Sequence, residues 1–295
     1  MALALRWPWT FSQSRPACAR PREHRDAVGK LRQGEMLRRA GIRSVVRNLA
    51  FVRGGTIHYC ESASAETLAA TSLFAKPTFG EGGEGVMAWT LRGSGQFISS
   101  KGSEQSLSEI LEELIAVGED LVVQPLLVNH QDVRSFAGGF LATVRLCTYP
   151  WPDAPTILCR PFIKLPAPGA VADNVSAGGV GFLVDRETGI VGEGLSDELE
   201  VIRDHPQTGV RVTGRELPDW QSCCDLATRA HVPLSELGFG GIMGWDVALT
   251  PEGPVLIEGN PFPAIHETVH PDAFLAEEAP RELRDIRDRL VATLA

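Results

Sequence analysis

Two segments far apart in the chain carry residue types suited to work on phosphates and hard cations. The first is Phe74-Ala-Lys76-Pro-Thr-Phe-Gly80-Glu-Gly-Gly83-Glu-Gly85-Val86. Gly80, Gly82 and Gly85 match G-x-G-x-x-G, but a dinucleotide fold needs a helix after that loop, and Val86-Met-Ala-Trp-Thr-Leu91 reads as a strand. The segment is therefore a glycine hairpin between two strands, with Lys76 leading into it. Glycine lets backbone N–H groups approach oxygens closely, so such a hairpin can fold over a triphosphate, with Lys76 as a point charge. Glu81 and Glu84 must then turn toward solvent or a metal, because a carboxylate about 4 Å from a phosphate charge costs roughly 4 kcal/mol at an effective dielectric near ~20. Neither a Walker A pattern nor the protein-kinase motif set is present.

The second segment runs from Gly244-Trp-Asp246 through a Pro251–Gly253 turn to Val255-Leu-Ile-Glu258-Gly-Asn260. Two strands joined by that turn bring Asp246 opposite Glu258, and Asn260 follows two residues on, on the same face. Three oxygen donors then converge where apolar strands end, a set that suits Mg²⁺. A competing pattern is His266-Glu267-Thr268-Val269-His270, the H-E-x-x-H of zinc peptidases. It needs a helix presenting both histidines on one face, and Pro263 and Pro271 leave barely two turns for one. Glu277, Glu278 or Glu282 would supply the third zinc ligand.

The elements that must position these segments follow from periodicity. Ser106 and Glu109 form a capping box, Leu107, Ile110, Leu111, Leu114 and Ile115 share one helical face, and Gly118 closes the helix. Further helices are expected over Val28–Ala40, from Asp219 as N-cap to about His231, and over Pro280–Ala295. Strand-like runs are Leu73–Lys76, Val86–Leu91, Leu121–Gln124, Ala142–Thr148, Thr156–Leu165, Val180–Val184, Asp246–Thr250 and Val255–Glu258, with a hairpin turn at Asp185–Gly189. Strands and helices do not alternate regularly, so the expected class is α+β with antiparallel sheets.

Charge narrows the function. Residues 1–50 hold 11 Lys/Arg against 3 Asp/Glu, and the remainder holds 17 against 34, so the body is too acidic for a nucleic-acid binder. No apolar run is long enough to cross a bilayer, and a cytoplasmic, soluble protein is expected. The basic, unpatterned residues 1–25 read as an irregular extension. The six cysteines show no C-x-x-C spacing, and Cys223 and Cys224 share an apolar helix face with Trp220 and Ala227, as buried free thiols would.

With both chemical segments in view, the chain resembles the ATP-grasp superfamily, and within it the sugar-transfer-associated branch. The resemblance covers roughly residues 26–268. It rests also on Asp173-Asn174-Val-Ser-Ala-Gly178-Gly179 with Val184-Asp185, on Thr143-Val-Arg145-Leu-Cys-Thr148, and on the run from His205-Pro206 through Gly214 and Pro218-Asp-Trp220. It implies an ATP-grasp fold over 26–295, with a small lobe at about 45–127, a large lobe at about 128–285, and ATP clasped between antiparallel sheets.

Roles follow residue by residue from the resemblance. Lys30 and Lys76 stand where the family has its ATP lysines. Gly82, Gly83 and Gly85 match the phosphate loop. Val123-Gln124-Pro-Leu126 matches the hinge whose backbone meets the adenine edge. Asp246, Glu258 and Asn260 match the magnesium ligands, with Mn²⁺ as the alternative ion. Arg145 and Arg160 lie on strands facing the transferring phosphate, and Asn174 and Gly178 line the acceptor side. The implied activity is ADP-forming ligation of a small-molecule carboxylate to an amine through an acyl phosphate, with a sugar acid or amino acid as substrate in polysaccharide biosynthesis. Zinc peptidase and non-catalytic ATP-binding scaffold are the alternatives. Gln124 replaces an acid common at the hinge, and Gly244 occupies a slot where some relatives place an arginine, which leaves that role to Arg145 or Arg160. Such enzymes usually carry a preceding α/β domain, and only about 25 residues precede the resemblance here. Either this is a minimal form, or a lost segment, a partner protein or a dimer completes the site.

Overall fold

The structure is a computed structural model that describes residues 30–60, 63–78, 83–93, 95–137, 141–150, 155–157, 161–167, 170–171, 173, 178–195, 200–236 and 242–261. The expected helix over Pro280–Ala295 lies outside these residues.

Two antiparallel sheets dominate. The first is built from β1 (Ala50–Arg53), β2 (Thr56–Tyr59), β3 (Leu73–Pro77), β4 (Met87–Gly93), β5 (Gln96–Ser99), β6 (Glu104–Ser106) and β7 (Leu121–Pro125), in the order β2-β1-β7-β3-β4-β5-β6. The second contains β8 (Thr143–Pro150), β9 (Pro155–Ile157), β10 (Phe162–Leu165), β11 (Val180–Val184), β12 (Val191–Leu195), β13 (Val201–Ile202), β14 (Met243–Thr250) and β15 (Gly253–Pro261). Its order is β13-β12-β11-β10-β8-β14-β15, with β9 also on β8. The helices are α1 (Lys30–Arg39), α2 (Ala65–Ala69), α3 (Leu107–Ala116), α4 (Gln131–Ala137) and α5 (Trp220–Glu236). The α+β class with antiparallel sheets is thus as the sequence predicts.

Period-2 alternation gives each sheet one face packed on helices and an opposite face that carries the polar residues of the site. In the first sheet Leu73, Ala75, Leu121 and Val123 join Ile110 and Leu114 of α3 in one buried cluster. The intervening Phe74, Lys76, Val122 and Gln124 point to the opposite side. In the second sheet Val144, Leu146, Ile163, Leu165, Val247 and Leu249 pack with Trp220, Cys223, Ala227 and Leu234 of α5. Thr143, Arg145, Lys164 and Asp246 lie on the other face. Burial pushes the Cys223 thiol well up and that of Cys224 up to about 11, as suits thiols placed in a core.

Local signals act where the sequence puts them. Ser106 accepts from the Glu109 amide, and Glu109 accepts from the Ser106 amide at 2.7 Å, which completes the capping box of α3. Gly41, at φ 85, ends α1 in a Schellman motif: the Gly41 N–H bonds Arg38 O at 3.0 Å and the Ile42 N–H bonds Leu37 O at 2.9 Å. The Asp185 side chain holds the β11–β12 turn by accepting from the Thr188 amide at 2.8 Å.

Two expectations change. The run Thr156–Leu165 is described as two pieces on β8 with different offsets, since three residues separate Arg145 from Thr148 while five separate Ile157 from Phe162. α5 continues a turn past His231 to Glu236 and carries Pro233, with Leu234 beyond it buried in the core. Six strands (β1, β2, β5, β6, β12, β13) and the short α2 and α4 were not expected; β1 lies in the apolar run Leu49-Ala-Phe-Val52 and could have been read, while the others are short and mostly polar.

Candidate active site

The acidic segment forms the β14–β15 hairpin, and its register is not simple. From the turn, Thr250 pairs with Gly253, Leu249 with Pro254, Ala248 with Val255 and Val247 with Leu256. Uninterrupted, that ladder would place Asp246 against Ile257 and turn Glu258 to the face of Trp245. A β-bulge at Ile257 takes up one residue, so Asp246 faces Glu258 and Gly244 faces Asn260. Asn260 then donates through Nδ2 to Asp246 Oδ2 at 3.5 Å and to Glu258 Oε1 at 3.4 Å. The same amide presents Oδ1 after a half-turn.

Gly259, between two of these residues, packs on the indole beneath. A Cβ there would lie 2.5 Å from Trp245 Cζ3, and the ring is pinned by its Nε1–H donating to Thr148 Oγ1 at 2.7 Å. Gly259→Ala is expected to lower stability by about 1–3 kcal/mol, read as a drop in the denaturation midpoint, because neither ring nor strand can yield.

The first sheet supplies Lys76, which is 6 % exposed and reaches Glu258 Oε2 at 3.1 Å. The glycine segment and the acidic segment, separated by 182 residues, therefore meet across opposed sheet faces. β3 and β4 pair as the hairpin expected for the glycine segment. Gly83 and Gly85 take φ of 73 and 70, and a Cβ on Gly85 would stand 3.0 Å from Pro77 Cγ. Glu84 is exposed, as its charge demands. Gly82 lies outside the described residues.

On β8, Arg145 lies beside Asp246 and grips it with two bonds, Nε to Oδ1 at 2.6 Å and Nη2 to Oδ2 at 3.0 Å. Lys164 Nζ adds a contact to Asp246 Oδ1 at 3.1 Å and one to Asp173 at 3.5 Å, and the Thr143 hydroxyl donates to the same Asp173. Burial alone would push the Asp246 carboxyl up, but Arg145 and then Lys164 outweigh it and hold it far below the usual carboxylate range. For Arg145 and Lys164 desolvation opposes the charge and the carboxylates reverse the balance, so both stay cationic. Asp173 is raised, chiefly by burial, with Lys164 acting against it. Three cations (Lys76, Arg145, Lys164) thus face three carboxylates (Asp173, Asp246, Glu258).

Sequence reasoning missed Lys164 as part of this cluster and gave Asp173 and Thr143 no role. The signal was the pairing of Lys164 with Thr143 and of Phe162 with Arg145, a register that spacing alone does not fix. Arg160 and Asn174 fall outside the described residues, as does the His266–His270 pattern. Gly178, at φ 86, accepts a bond at its carbonyl from Gln207 Nε2 at 3.2 Å. Lys30 opens α1, one turn ahead of Gln33.

The hinge differs in detail. The Leu126 N–H is committed to Ser72 O at 2.8 Å, and the Thr78 N–H to Asp120 O at 2.9 Å, so Gln124, in the same alternation and opposite Phe74, also faces β3. Val123 turns its carbonyl the other way, to the Leu49 N–H at 2.8 Å. By the same alternation the Pro125 carbonyl is directed to that outer edge. Of the two expected hinge residues, Leu126 thus has its N–H taken within the sheet, and Gln124 has its backbone turned to β3. The Gln124 side chain is buried and donates to Asn48 Oδ1 at 2.8 Å.

The donor set fits a hard divalent cation, since the Asn260 amide lies within 3.5 Å of one carboxylate and 3.4 Å of the other. Among the described residues no three His, Cys, Asp or Glu form a cage, so such an ion would need oxygens from a bound phosphate to complete its shell.

Two antiparallel sheets with opposed polar faces, a lysine and glycine hairpin on one and a carboxylate pair on the other, define an ATP-grasp fold. The chain belongs to the sugar-transfer associated ATP-grasp family, whose model matches residues 40–273. No match to the sequence is found among curated proteins. Among solved structures it is similar to D-alanine–D-alanine ligase from Bacillus anthracis complexed with ATP (12% identity, 84% of this chain, 59% of that one, TM-score 0.44). It is also similar to L-amino acid ligase from Bacillus licheniformis (13% identity, 80% and 40%, TM-score 0.42). A third is N5-carboxyaminoimidazole synthase from Aspergillus clavatus with ADP and its ribonucleotide (13% identity, 80% and 45%, TM-score 0.38). The chain spans only 40% to 59% of the length of these three. Among the described residues no helix is long and apolar enough to cross a membrane.

Proposed function

We propose that this chain is an ATP-dependent ligase that joins a carboxylate to an amine and releases ADP and phosphate. The observation that carries the reading is the meeting of Lys76, from the glycine hairpin, with Glu258 in the Asp246–Glu258–Asn260 set. A lysine on one wall facing carboxylates on the other supports a reading in which phosphate and cation meet between them.

Lys30, Lys76 and the amides of Gly82, Gly83 and Gly85 hold the phosphates, while the hinge backbone around Gln124 and Leu126 meets the adenine edge. Asp246, Glu258 and Asn260 hold Mg²⁺, or Mn²⁺ in its place, which neutralises charge on the phosphate oxygens when bound. A substrate carboxylate oxygen attacks the γ-phosphorus; the new O–P bond forms as the bond to ADP breaks. Arg145, with Arg160 as the second candidate, spreads the charge on the transferring group through its planar fork. The amine nitrogen then attacks the acyl carbon, phosphate leaves with the C–O electron pair, and the nitrogen loses its proton. Asn174 and Gly178 line this acceptor side. Little covalent work falls to the protein, so positioning and charge neutralisation dominate. The family's link to sugar transfer favours a uronic acid or an amino acid as substrate, within polysaccharide biosynthesis.

Incubation with ATP, Mg²⁺ and a panel of uronic or amino acids with amines is expected to yield ADP and phosphate in step with amide product. AMP with pyrophosphate would reject this chemistry.

A further inference from the structure

β15 is the edge strand of the second sheet, and its outward backbone groups need partners. At Leu256 they find chain 44–46, with the Val46 N–H bonding Leu256 O at 2.9 Å and the Leu256 N–H bonding Ser44 O at 2.8 Å. Beyond the bulge the same edge turns to α1. Gln33 Nε2 donates to Gly259 O at 2.8 Å, and the Gly259 N–H donates to Gln33 Oε1 at 2.8 Å. Gln33 is 4 % exposed, and its amide can face Gly259 in only this sense, because the flipped form would set donor against donor. A side chain thus completes the ladder at the single residue that separates Glu258 from Asn260.

We propose that Gln33 is a positioning residue for the cation site: by fixing both peptide groups of Gly259 it sets the directions in which Glu258 and Asn260 leave the strand. Nothing else described on that edge holds the strand so close to the two ligands. Gly259 has no side chain to lock it, and Trp245 beneath supports only its inner face. The same helix begins at Lys30, so α1 ties the first ATP lysine to the cation wall through Gln33. The inference rests on the cation site proposed above.

The test is Mn²⁺ binding to the full chain in the presence of ADP, followed by electron paramagnetic resonance. The variants are Gln33→Met, which keeps the length and removes both bonds, and Leu234→Ala, a core truncation remote from the site that controls for lost stability. Gln33→Met is expected to weaken Mn²⁺ binding by about 10- to 100-fold, as outer-shell changes do. ADP affinity without divalent ion should stay within about twofold, since no phosphate contact involves Gln33. Leu234→Ala should leave Mn²⁺ affinity unchanged. If Gln33→Met does not fold, Gln33→Asn, one methylene short of Gly259, serves in its place with the same direction of effect. Equal Mn²⁺ affinity in wild type and either Gln33 variant overturns this inference alone, and so does an equal loss in Leu234→Ala. No Mn²⁺ binding by wild type overturns the cation site itself, and this inference with it.

Discussion

Glu258→Gln is expected to cut ATP turnover on the order of 10²–10³-fold while shifting the denaturation midpoint by no more than the loss of a partly exposed ion pair, about 1 kcal/mol or less. The asymmetry follows from position. Glu258 stands at the meeting of the two sheets, its side chain 18% exposed, with Lys76 at 3.1 Å. Glutamine keeps the shape and an acceptor for that lysine, so little packing is lost. What goes is one of the two charges available to a divalent ion at the point where phosphate charge must be neutralised. Steady-state phosphate release, read beside a thermal melt, separates the two effects. Turnover within threefold of wild type would remove Glu258 from the cation site.

Asp246→Ala is expected to behave differently and to cost about 3–5 kcal/mol of stability, because it leaves Arg145 and Lys164 buried without their common partner. Urea denaturation measures it. Adding Arg145→Met to Asp246→Ala should recover more than about 1 kcal/mol relative to the sum of the single losses, since the residues share one network. Additive losses would mean that the pair is not coupled. The acid limb supplies a further check. The folded state holds the Asp246 carboxyl below its unfolded value, so its contribution is fully present above that value of ~3.9 and is given up as pH falls through the folded pKa. Asp246→Ala should lack that part of the acid-induced decline.

Much of the frame was legible because it is local. The Ser106–Glu109 box, the Gly118 stop and the exclusion of a dinucleotide fold at the glycine segment each depend on residues close together in the chain. Lys76 and the Asp246–Glu258 pairing were also readable, although the tight turn alone counts Asp246 against Ile257, and only the bulge makes the pairing true. The buried partners were not readable. Lys164 joins Asp246 because β10 lies on β8 in one register among several that the apolar pattern would allow. Gln33 finds Gly259 across 226 residues, and a glutamine in a helix carries no mark of its destination. The direction of the hinge backbone was not readable for a related reason: strand alternation decides which carbonyls point outward, and that depends on which neighbour lies on each side.

The bulge at Ile257 also sets how this hairpin can change over evolutionary time. Gaining one residue between the Pro251 turn and Glu258 would turn Glu258 and Asn260 toward Trp245, setting a carboxylate and an amide among apolar side chains, whereas losing the bulged residue would restore an uninterrupted ladder with Glu258 still opposite Asp246. Point replacements there can be graded, but an insertion cannot. Related chains should therefore vary freely in the size of surface turns such as Asp185–Gly189, while the stretch from Asp246 to Asn260 admits loss of the bulged residue and no gain of length.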